Sequence, residues 1–104
     1  MYAHYFMGKD DVLREICKLR TLLHQMETES DLAALTAYQR DVLYAAVDVA
    51  GSDGHALLKD IVAHSLVKDI PRPTYFRAIK CLIQLGRMER VGLERSCVYR
   101  VVSS

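Results

Sequence analysis

The sequence holds few of the residues, and none of the runs, that mark special architectures. Two prolines and five glycines among 104 residues exclude collagen-like and low-complexity chains, and a 51% apolar share excludes disorder. No apolar stretch approaches the roughly 18 residues of a membrane-spanning helix. The opening Met1-Tyr-Ala-His-Tyr-Phe-Met-Gly8 lacks the basic segment and long apolar core of a secretory signal, so a cytoplasmic protein with no membrane contact is expected. Cys17, Cys81 and Cys97 are widely spaced and form neither a paired disulfide framework nor a CxxC metal site. His4, His24, His55 and His64 fall in no HExxH or HxH spacing. There is no GxSxG elbow, phosphate loop or glycine-rich dinucleotide fingerprint. Neither an enzyme nor a bound metal or cofactor is therefore expected.

What is present is an uneven charge. The net charge is +1, yet residues 1–67 hold six Lys and Arg against ten acids, while residues 68–104 hold eight against three. The last third is thus a concentrated basic segment in an otherwise acidic chain, which suits an anionic partner.

Val12, Ile16, Leu19, Leu23 and Met26 recur at steps of four, three, four and three, the alternation of a coiled-coil seam within a helix expected over 10–27. In that register Val12, Leu19 and Met26 take d positions and Ile16 and Leu23 take a positions. Glu15 then falls at g and Arg20 at the following e, complementary across a parallel dimer. About two heptads cannot hold alone, and Leu13 and Leu22 widen the stripe. The helix either packs on its own domain or joins two copies. The charge pairing favours two copies, which makes residues 1–31 an arm and dimerisation helix.

Thr36-Ala-Tyr-Gln39 has the form of a capping box opening a helix with Tyr38, Val42, Leu43, Ala46, Val47 and Val49 as its apolar residues, ending near Gly51. A turn at Ser52-Asp-Gly54 and a short strand at His55-Ala56 lead to a helix over about 57–66, faced by Leu57, Leu58, Ile61 and Val62. Pro71 and Pro73 sit where the first turn of a further helix tolerates them. That helix runs over about 72–85 to Gly86, with Tyr75, Ile79 and Leu82 inward. Residues 87–91 and 97–102 then read as two strands joined through Gly92–Ser96.

A helix pair followed at once by a hairpin resembles the winged helix-turn-helix fold. The clearest stretch is Ile70-Pro-Arg-Pro-Thr-Tyr-Phe-Arg-Ala-Ile-Lys-Cys-Leu-Ile-Gln-Leu-Gly-Arg-Met-Glu-Arg-Val91, which looks like the recognition helix and first wing strand of MarR-like bacterial transcriptional regulators. Leu35-Thr-x-x-Gln-x-x-Val-Leu43 resembles the helix that precedes that motif. The sequence departs from the pattern in placing Pro71 where an N-capping Ser is common, and ligand sensing does not carry over. The resemblance implies an α+β fold, mainly α with a small hairpin, in which residues 32–104 form a DNA-binding domain.

The residues support that expectation independently. A helix fits the major groove of double-stranded DNA, and its early residues meet base edges. On helix 72–85 the face carrying Thr74, Arg77 and Cys81 is opposite the apolar one. Arg77 suits bidentate contact with a guanine, Thr74 a phosphate or a thymine methyl, and Arg72 and Lys80 flanking phosphates. Arg95 lies at the hairpin tip, where a wing meets the minor groove. The expected function is a homodimeric DNA-binding regulator. The alternative is a winged-helix module whose basic helix docks an acidic protein.

Overall fold

The computed structural model describes residues 8–92 and 97–102. Its first element, α1 (Lys9–Glu29), opens at Gly8 without a side-chain cap, but Asp10 and Asp11 in its first turn lie at the positive end of the helix dipole. It stops where Asp31 turns into the left-handed region at φ 62°, a conformation Asp tolerates. There the Ser30 amide donates to the Met26 carbonyl at 3.1 Å and the Asp31 amide to that of Thr28 at 3.3 Å. One 3₁₀ turn, Leu32–Ala34, follows. The chain divides into two compact units between Ala34 and Leu35.

The second unit begins with α2 (Ala37–Val49). Thr36 Oγ1 accepts the Gln39 amide at 3.2 Å and Gln39 Oε1 accepts the Thr36 amide at 3.0 Å, so both halves of the expected capping box form. Val42, Leu43, Ala45 and Ala46 are buried along one face. Tyr38 and Val47, read from the sequence as apolar-face residues, are exposed instead. Val47 lies beside the stripe that Val42, Leu43, Ala45 and Ala46 define, and Tyr38 lies in the first turn of the helix, ahead of it.

After α2 the chain reverses through Gly51–Gly54. Gly54 sits at φ 80°, its amide donates to the Gly51 carbonyl at 2.9 Å, and Asp53 Oδ1 accepts the His55 amide at 3.0 Å. Strand β1 (His55–Leu57) leads directly into α3 (Leu58–Ala63). The helix expected over 57–66 is therefore only six residues long. His64 ends it by leaving the helical conformation, with ψ 145°. Its Nδ1 accepts the Leu66 amide at 3.1 Å, which leaves Nε2 to donate to Asp48 Oδ2 of α2 at 2.8 Å. A side chain that captures a backbone amide in this way competes with helix continuation. Val67 then plugs the core from the turns that lead to Pro71.

The helix α4 (Arg72–Gln84) carries both prolines in its opening, at the cap and the second helical position. It ends in a Schellman motif. Gly86 takes φ 76°, its amide donates to the Ile83 carbonyl at 3.0 Å, and the Arg87 amide reaches Leu82 at 2.8 Å. Strands β2 (Met88–Arg90) and β3 (Val98–Val101) are shorter than the sequence suggested, and a third strand joins them: the sheet is antiparallel in the order β1-β3-β2. Tyr99 faces Ala56 on one side and Arg90 on the other, and Met88 faces Val101. Ala56, Met88 and Tyr99 are buried, and alternate residues such as Glu89 and Arg100 face out. With Val42, Ile61, Ile79 and Leu82 these close one core beneath α4. The fold is α+β, four helices with a small antiparallel sheet among the described residues, and no described helix is long and apolar enough to cross a membrane.

Candidate nucleic-acid interface

Packing decides what α4 presents outward. Ala78, Ile79 and Leu82 are buried, with Tyr75 half-buried at the edge rather than fully inward as its spacing suggested. The exposed stripe is Pro73, Arg77, Lys80 and Gln84, at steps of four, three and four. Arg77 and Lys80 thus stand where the sequence reading put them. Thr74 and Cys81 do not share their exposure; both are half-buried, because the helix is turned toward its Lys80 side. Thr74 lies instead in a cleft between α4 and the start of α2, lined also by Thr36, Tyr38, Gln39, Arg77 and Ala78.

On the other flank, between α4 and the sheet, Phe76, Ile79, Ile83 and Tyr99 floor a groove of about 540 Å³ rimmed by Lys80, Gln84 and Arg90. Among the described residues, no acidic side chain lines either hollow. Two guanidiniums are laid over aromatic rings beside the groove, Arg72 at 5.1 Å from the Phe76 centroid and Arg90 at 5.9 Å from that of Tyr99. Such stacking holds a long cation at one place on the surface.

The charges divide into neutralised and free. Arg100 is paired across the strands with Glu89, its register partner. On α1, Arg14 pairs with Asp11 at 3.8 Å and Lys18 with Glu15 at 3.5 Å. Arg72, Arg77 and Lys80 form no ion pair among the described residues, so α4 carries unneutralised positive charge. Arg87, expected within the first hairpin strand, is half-buried in the loop before β2. Arg95 and the hairpin tip, residues 93–96, lie outside the described residues, as does the arm 1–7.

Sequence reasoning missed Tyr38, Gln39, Gln84 and Arg90 as members of this surface. The period of α4 put Gln84 on the face of Arg77, a signal present but unused. Tyr38 could be found only from the packing of α2.

In the first unit, the five seam residues of α1 are all exposed. Val12, Ile16, Leu19, Leu23 and Met26 show 40%, 46%, 65%, 47% and 55% of their surface, and Leu13 and Leu22 more than half. Cys17 is exposed as well. The helix spans 21 residues, the length of three heptads. The chain matches no protein-family model, and searches of curated proteins and of solved structures return no match.

Proposed function

We propose that residues 35–102 form a winged helix-turn-helix domain and that the protein is a DNA-binding transcriptional regulator acting as a homodimer. In this reading α4 is the recognition helix, β2 and β3 are the wing, and α2 and α3 support them. The order helix, strand, helix, helix, strand, strand, with the first strand added beside the last, supports the fold assignment. The observation that carries the function is the free basic stripe: Arg77 and Lys80 are exposed on α4, and among the described residues they are unpaired and no acid lines the hollows on either side. A helix has the width of the major groove, and a guanidinium offers two parallel donors to guanine O6 and N7. Lys80 and the stacked Arg72 suit phosphates on either side, and Gln84 adds an amide donor.

The test is a fluorescence anisotropy titration of random-sequence duplex DNA at two salt concentrations. Each neutralised phosphate adds about 0.9 to the slope of log affinity against log salt, so Lys80→Ala should weaken binding to all duplexes alike and flatten the slope by about one. A complex indifferent to salt overturns the reading and favours docking of an acidic protein; no complex overturns it outright.

A further inference from the structure

We infer that α1 pairs with α1 of a second copy in parallel and in register, its seam held in orientation by Glu15 of each copy against Arg20 of the other. The inference deepens the two-copy reading above and names the face and direction of the contact. Its ground is an apolar seam left exposed along a helix long enough for three heptads. Apolar faces of that continuity are covered in a folded assembly.

Charge selects the occupant and its direction. In the parallel arrangement each Glu15, at g, meets Arg20 of the other copy at e, twice per dimer. Arg20 forms no ion pair among the described residues and is available. Glu15 is held only by an exposed contact with Lys18 at 3.5 Å, which is weak and readily exchanged. The other g-to-e contact, Leu22 against Glu27, carries no opposed charges. Running the helices antiparallel offers two ways to close the same seam. With Ile16 against Leu19, Arg20 faces Leu13 and Glu15 faces Leu22, so neither charge is paired. With Leu19 against Leu23, Arg20 faces its own counterpart and Glu15 faces Glu29, so like charges meet. Only the parallel pairing turns both positions to advantage, and it brings the two Glu29 ends of the helices together.

The experiment is sedimentation equilibrium on the full chain, comparing wild type, Glu15→Arg, Arg20→Glu and an equimolar mixture of the two variants. Both positions are exposed, so the fold is retained, which far-ultraviolet circular dichroism checks. Each variant alone places two like-charge pairs across the parallel interface, and its dimer dissociation constant should rise about tenfold. In the mixture the heterodimer has two attractive pairs again, and wild-type affinity should return within about twofold. Tighter association of Glu15→Arg alone, which an antiparallel pair against Glu29 would give, overturns the inference. So does a mixture no tighter than its components; a wild-type dimer in that case leaves the two-copy reading standing. A wild type that stays monomeric overturns both. DNA binding is read in a separate titration and does not enter this result.

Discussion

In the proposed reading, Arg77 is the side chain that separates recognition from attraction. It stands exposed between Pro73 and Lys80, and no acid neutralises it among the described residues. A lysine there keeps the charge but loses the planar fork that matches a guanine edge. Arg77→Lys should therefore bind random duplex DNA nearly as well as wild type while losing about 1–3 kcal/mol on the preferred site. Selection of binding sites from a random library, run on both proteins, checks this; identical enriched motifs remove Arg77 as a base reader. Its exposure was legible from sequence because periodicity alone put it opposite Ile79 and Leu82. That Thr74 would fall into a cleft with Tyr38 and Gln39 was not legible, since the cleft belongs to two helices that meet only in the folded unit.

The elements owe their limits to local devices, and these can be tested without DNA. Gly86 ends α4 at φ 76°, and a Cβ added there would meet nothing within 4 Å, so a substitution is strained by backbone conformation and not by crowding. Gly86→Ala should destabilise the protein by about 1–2 kcal/mol, and Gly86→Asn by less, measured as a shift of the urea midpoint at constant slope. An unchanged midpoint would mean that the Schellman turn does not form in solution. The Gly86 stop and the capping box of Thr36 and Gln39 were both readable because each lies within a few residues of chain. The end of α3 was not. His64 takes the Leu66 amide and also reaches Asp48, sixteen residues earlier on α2, and no local pattern announces that second contact.

At the scale of the whole molecule, the exposed seam on α1 and the basic stripe on α4 belong to separate compact units, and each has its own assay. Leu19→Asp puts an unpaired charge into the middle of the seam, a cost of roughly several kcal/mol to association. This variant should sediment as a monomer at micromolar concentration with the circular dichroism of a folded chain. It should also lose affinity for a two-half-site operator far more than for random DNA, because the second half-site no longer binds as part of the same molecule. Site selection on wild type should return a palindrome with half-sites about 10 base pairs apart or a multiple of that. A variant that remains dimeric would place the contact between copies elsewhere.

The sequence by itself determined what depends on neighbours along the chain. These are the four-three spacing of α1, the caps of α2 and α4, the prolines at the start of α4 and the basic last third. Each is a short-range effect of helical period, backbone conformation or composition, and so it survives without knowledge of what packs where. The tertiary structure decided which of the cations are free. Arg100 is spent on Glu89 only because β2 and β3 pair in the register that sets them opposite, whereas Arg77 and Lys80 stay open because the core takes the other side of their helix. It also added β1 to the sheet, joining His55 to Arg100 across nearly half the chain. Charge pairing and strand order depend on contacts between residues distant in sequence, and only the packed core brings those together.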